Sequence, residues 1–164
     1  MQNVRVVITG VGTINAIACD ADAFAAALKL GRCGIGPLSV FDTAGFRTRT
    51  GGEVRAFAPQ ERIPPVYYGK RMSRADAMAM VATLEGLQDA GLFPLPDGLR
   101  ENTGVAIGGG AGGMLEGEAA YQRYLSGHAD TVRFSDFSAF CGASSADHMV
   151  SKLRLWGPKT TFMT

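Results

Sequence analysis

The 164 residues, 46% of them apolar, are enough for a single domain with a buried core. Basic and acidic residues nearly cancel, 16 against 15, which excludes a surface-wide field for nucleic acid or an anionic membrane and leaves only local electrostatic docking. No apolar run approaches the roughly 20 residues of a bilayer span, and the strand-like pattern begins too close to Met1 for a signal peptide, so the expected compartment is the cytoplasm. Cys19, Cys33 and Cys141 lack CxxC spacing, which predicts reduced thiols with neither a disulfide framework nor a zinc site.

In chain order, the β-branched run at 4–9 predicts a buried strand that breaks at Gly10-Val11-Gly12. Asp20 or Asp22 can cap a helix in which Phe24, Ala27 and Leu28 share a face, with Gly31 as its stop. A loop-like stretch containing Pro37, Pro59, Pro64 and Pro65 follows. Residues 72–90 read as a long helix, because Ala77, Met80, Val81, Leu84 and Leu87 form one stripe and Gly91 and Pro94 end it. A short strand at 103–107 meets the glycine cluster at 108–113, and a helix at 115–125 follows. The last helix spans 143–153 with Ala146, Met149, Val150 and Leu153 inward; after Gly157-Pro158 the tail at 160–164 has the composition of a central strand. Strands alternating with helices predict an α/β fold with a mostly parallel sheet covered on both faces.

Several motifs fail on their chemistry. Gly10-Val11-Gly12 lacks the third glycine of a dinucleotide fingerprint, since Asn15 stands there. The 108–113 cluster runs into Met114 and Leu115 instead of the Lys-Ser/Thr of a phosphate loop, so it reads as backbone passing close to backbone. Gly142-Ala143-Ser144-Ser145-Ala146 approximates a hydrolase elbow, but Asp147 and His148 sit on the same helix, where near neighbours point apart. The densest basic spot is Lys70-Arg71-Met72-Ser73-Arg74.

Taken together and in order, these segments resemble the β-ketoacyl-acyl-carrier-protein synthases, condensing enzymes of the thiolase-like superfamily. Arg5-Val6-Val7-Ile8-Thr9-Gly10-Val11-Gly12 resembles the family's first strand and turn, and Gly34-Ile35 followed by Phe41-Asp42-Thr43 its "G-I … F-D" segment. The basic spot at 70–74 is similar to the lead-in of a long helix, and Gln88-Asp89-Ala90-Gly91-Leu92 to the helix's end. Gly104-Val105-Ala106-Ile107-Gly108 through Gly113 resembles the family's glycine loop, and Leu155-Trp156-Gly157-Pro158 with the strand to Thr164 its "L-R-G-P-x-x-x-x-x-T". The sequence departs from the family pattern at 138–145, where a polar-aromatic run and an Asn near Ala143 are absent.

The resemblance implies an incomplete N-terminal domain over residues 1–164, the N-terminal half of a thiolase-like fold, ending just before the catalytic cysteine. It implies decarboxylative Claisen condensation of an acyl thioester with malonyl-ACP in fatty-acid or polyketide synthesis, without a metal or redox cofactor. The catalytic Cys and two His of the family have no counterpart here: Cys141, His128 and His148 come too early in the chain. What the resemblance does assign is an acyl-pocket loop, Gly110, Ala111 and Gly112, with Ala111 at a gating position, and a docking face for acyl carrier protein, Lys70, Arg71 and Arg74. The implied assembly is a homodimer or a ketosynthase heterodimer, with no nucleic acid and no membrane span. The alternative is a non-catalytic subunit resembling the chain-length factors.

Overall fold

Helices form where the sequence supplies both a 3.6-residue apolar stripe and chemistry for the ends. The computed structural model describes residues 5–55, 57–69, 71–110 and 112–163. In order, it contains α1 (Ala21–Lys29), β1 (Ile35–Pro37), β2 (Thr50–Gly52), α2 (Pro59–Arg62), α3 (Arg74–Asp89), α4 (Asp97–Arg100), β3 (Val105–Gly109) and α5 (Met114–Leu125). A 3₁₀ turn (Ala129–Thr131), α6 (Phe134–Ser138), α7 (Ser144–Leu153) and β4 (Lys159–Met163) complete it. Two units are distinguishable, Met1–Ala58 with Val81–Pro94, and Pro59–Met80 with Leu95–Thr164.

In the first unit Asp20 caps α1, its Oδ1 accepting from the Ala23 N–H at 2.7 Å. The helix closes with Gly31 N–H on the Leu28 carbonyl and Arg32 N–H on that of Ala27, the paired bonds of a Schellman end. The C-terminal part of α3 holds the opening segment through its carboxylates: Glu85 accepts from the N–H groups of Thr13 at 2.8 Å and Ala21 at 2.7 Å, and Asp89 from that of Val11 at 2.9 Å. At Gly12 the two backbones pass too close for a side chain, since a Cβ there would sit 2.7 Å from the Gly86 nitrogen. Ala18, Ala27, Val54, Val81 and Leu84 are buried. β1 and β2 pair antiparallel, Gly36 opposite Gly51.

In the second unit β3 and β4 pair in parallel, Val105 opposite Lys159 through Gly109 opposite Met163. Helix α7 packs on this pair, presenting the buried Ala146, Met149 and Leu153 predicted for its inner face. Arg154 closes α7 in the left-handed region at φ 54. The Arg100 guanidinium donates to the carbonyls of Leu95, at 2.9 Å, and Leu153, while the Arg100 carbonyl accepts from Trp156 N–H. These bonds fix the turn that leads through Gly157-Pro158 into β4. Ile63, Ala77 and Met80 are buried here as well, Met80 completely.

Two expectations are corrected. The run at 5–9 forms no strand: Val6 is 91% and Ile8 87% exposed, because β structure requires a ladder partner and among the described residues no segment pairs with this one. Val4 lies outside the described residues. The tail forms β4 as expected, with β3 as its sole partner among the described residues and Phe162 64% exposed. Conversely, the proline-bearing stretch read as loop contains β1, β2 and α2.

Candidate functional site

The glycine loop leaves β3 and enters α5, and its geometry is set by the turn between α6 and α7. Gly113 N–H donates to the Ala139 carbonyl at 2.9 Å, and a Cβ on Gly113 would lie 2.5 Å from that oxygen and 2.8 Å from the Ser73 Cβ. Glycine is therefore required by close approach, as the sequence suggested. Gly112 adopts φ +49 beside the carbonyls of Ala139, Phe140 and Cys141, while Gly110 is exposed with open space around it. Ala111 lies outside the described residues.

Of the expected docking cations, Lys70 also lies outside the described residues. Arg71 is exposed and Arg74 half-buried. Arg74 and Gly112 line one open recess with Ala75, Met78, Met114, Leu115 and Glu116, about 320 Å3 in volume. The structure thus brings one residue of each expected site together. Arg71 lines a neighbouring recess with Glu116, Arg123 and Asp136. This basic face is interleaved with acid: Glu116 accepts from the Arg74 backbone N–H at 2.8 Å, and Asp136 pairs with Arg123 at 2.6 Å. The Arg133 backbone N–H, with the Arg123 guanidinium and the Arg133 charge, holds the Asp136 carboxyl below its ordinary value against a smaller opposing effect of burial. A third recess of about 350 Å3, lined by Met114, Gly117, Glu118, Tyr121, Phe137 and Phe140, opens on the other side of α5's first turn.

One cluster escaped the sequence reading. Asp76 is 1% exposed, and its Oδ2 accepts from Ser73 N–H at 2.9 Å and from the Ser144 hydroxyl at 2.9 Å. Its Oδ1 accepts from the Ser145 hydroxyl at 2.8 Å, and His148 Nε2 lies 3.6 Å from Oδ2. The Ser73 hydroxyl reciprocates by accepting Asp76 N–H at 3.0 Å, a capping box at the start of α3. The pattern Ser-x-x-Asp before an apolar run was the available signal. The arrangement also removes the hydrolase reading: Ser144 is buried and its hydroxyl donates a hydrogen bond to the Asp76 carboxylate instead of an imidazole, and Asp147 pairs with Lys159. Cys19, Cys33 and Cys141 are free thiols. Among the described residues no helix is long and apolar enough to cross a membrane.

The family described as "Beta-ketoacyl synthase, N-terminal domain" matches residues 3–164. The chain is 32% identical over 169 aligned residues to 3-oxoacyl-[acyl-carrier-protein] synthase 2 of Coxiella burnetii, covering 100% of this chain and 39% of that protein. It is 34% identical over 121 residues to the tetracenomycin polyketide synthase ketoacyl synthase beta subunit of Streptomyces glaucescens, covering 72% of this chain and 28% of that one. In structure it is similar to the ishigamide ketosynthase/chain length factor, with a TM-score of 0.76, 28% identity, and coverage of 96% of this chain and 39% of that one. The chain therefore spans less than two-fifths of the length of these relatives. With the family matched from residue 3 to residue 164 and an α/β thiolase-like ketosynthase fold, the chain belongs to the β-ketoacyl synthase family, as its N-terminal domain.

Proposed function

We propose that the full-length gene product is a β-ketoacyl-ACP synthase in which this chain supplies a wall of the acyl pocket and a docking face for acyl carrier protein. In this reading an acyl group is held as a thioester on a cysteine, malonyl-ACP loses carbon dioxide, and the carbanion so formed attacks the thioester carbonyl and releases the thiolate. The observation that carries it is the recess shared by Arg74 and Gly112, a mainly apolar surface with one cation, Arg74, beside Glu116, that runs into the glycine loop. Arg71 extends that surface, and Lys70, Gly110 and Ala111 join by their sequence positions. The Coxiella relative, a 3-oxoacyl-[acyl-carrier-protein] synthase by name, supports acyl carrier protein as partner. Three free thiols support a cytoplasmic site of action. The assembly is a homodimer or a ketosynthase heterodimer. The 164 residues alone are inactive in this reading, because Cys141 precedes α7 instead of following β4, and His128 and His148 precede it too.

A second reading, a non-catalytic subunit resembling chain-length factors, is favoured by the likeness to the tetracenomycin beta subunit and to the ishigamide ketosynthase/chain length factor. Intact-mass measurement of the full-length gene product after incubation with acyl-ACP separates the two. A mass gain equal to the acyl group, mapped to a cysteine, is the expected result. No gain, with condensation appearing only when a ketosynthase is added, favours the second reading.

The docking role has its own test. Reversing the charges of Arg71 and Arg74 together should raise KM for acyl-ACP about tenfold at low salt and leave turnover of a small acyl thioester unchanged. Equal losses with both substrates would remove that role. Replacing Ala111 with Ile should cut turnover of long acyl chains more than of short ones, and an unchanged chain-length profile would remove the gate.

A further inference from the structure

We infer that Asp76 is a positioning residue for the glycine loop: its buried carboxylate ties the start of α3 to the start of α7 and thereby fixes the turn against which Gly112 and Gly113 fold. The inference rests on the reading of that loop as acyl-pocket wall and deepens it.

The contacts form a closed circuit. Asp76 receives Ser73 N–H from its own helix and both the Ser144 and Ser145 hydroxyls from α7. Ser144 N–H donates to the Cys141 carbonyl at 2.9 Å, and Cys141 N–H to that of Ser138 at 3.2 Å, which sets the turn before α7. The Ala139 carbonyl in that turn accepts Gly113 N–H, and the Gly113 backbone in turn abuts Ser73, beside Asp76's own capping partner. Every buried side-chain polar atom among the described residues has a partner, so the circuit carries no slack donor or acceptor.

A carboxylate is a costly way merely to glue two helices, since burying a charge forfeits its hydration and an apolar side chain of similar size serves stability as well. What a carboxylate adds is direction: two oxygens, each with a defined donor, admit one relative placement of Ser73, Ser144 and Ser145 and reject slipped ones. Arg74 follows Ser73 immediately, so the same circuit also places the recess that Arg74 and Gly112 share.

The test is amide hydrogen exchange on the full-length gene product, for the wild type, Ser145→Ala, Ser145→Thr and Asp76→Asn. Positioning predicts that exchange at Gly113, Cys141 and Ser144 quickens about tenfold in Asp76→Asn and Ser145→Ala, the loss expected for a hydrogen bond to a charged group. Ser145→Thr, which keeps the hydroxyl, should restore the wild-type rates, and Thr13 and Ala21 amides should exchange as before. Unchanged rates at Gly113, or a uniform increase that includes Thr13 and Ala21, would overturn the inference. If Asp76→Asn fails to fold, Ser145→Ala and Ser145→Thr decide. In the acyl-loading assay, Ser145→Ala should lower kcat about threefold to tenfold with KM for the carrier unchanged. A wild type that shows this exchange pattern but acquires no acyl group would sink the catalytic reading and leave the positioning role standing.

Discussion

Asp136 shows how a single carboxylate sets a local pH dependence. Its folded value lies below the ordinary 3.8, first because the Arg133 backbone N–H at 3.2 Å stabilises the charged form and then because Arg123 pairs with it. A depressed carboxylate contributes stability above its unfolded value and loses it as pH falls through its folded one. The contribution of Asp136 to holding α6 against α5 should therefore persist through neutral pH and be lost only in acid, below the ordinary carboxylate range. A carbon-detected NMR titration should place the Asp136 midpoint below 3.8. A midpoint at or above that value would show that the Arg133 hydrogen bond and the Arg123 pair do not hold the carboxylate in solution. Glu85 works differently, with two oxygens on two backbone N–H groups, Thr13 and Ala21. Glu85→Gln leaves one of them facing an amide NH₂, and a lost bond of this kind costs about 1.5–3 kcal/mol. Urea unfolding should show a lower midpoint at an unchanged m-value; an unchanged midpoint would mean that water replaces the carboxylate there.

At the scale of elements, the helices were legible because their signals are local. Asp20 and Gly31 bracket α1, and the stripe Ala77, Met80, Val81 and Leu84 is the buried face of α3, whose ends fall within two residues of expectation. The strands were less legible because a strand is a relation between segments. Residues 5–9 have strand composition but no ladder partner among the described residues, whereas β1 and β2, rich in Gly and Pro, pair despite poor propensity. The glycine loop was legible as close backbone approach, since only glycine tolerates the Ala139 carbonyl at Gly113. Asp76 was not, because in sequence a helical Asp reads as a solvated first-turn residue, and its hydroxyl donors lie 68 and 69 positions away. Asp20→Ala, which deletes the cap of α1, should cost about 1 kcal/mol and raise fraying of the first turn, read as faster exchange at Ala23. Wild-type exchange there would show that the cap is redundant.

For the whole molecule, residues 3–164 carry one family's N-terminal domain, and the apolar surface they expose is large: Val6, Phe134, Trp156 and Phe162 are each more than 60% accessible. The chain spans 39% of the Coxiella relative that it matches along its whole length. The activity proposed for the full-length gene product is carbon–carbon bond formation. Its most direct measurement incubates the full-length gene product with acyl-ACP and malonyl-ACP and weighs the acyl group on the carrier. The expected product is a 3-oxoacyl chain extended by two carbons, formed with an equal amount of carbon dioxide. Both carriers recovered unchanged, under conditions in which an authentic synthase extends the same acyl group, would contradict it.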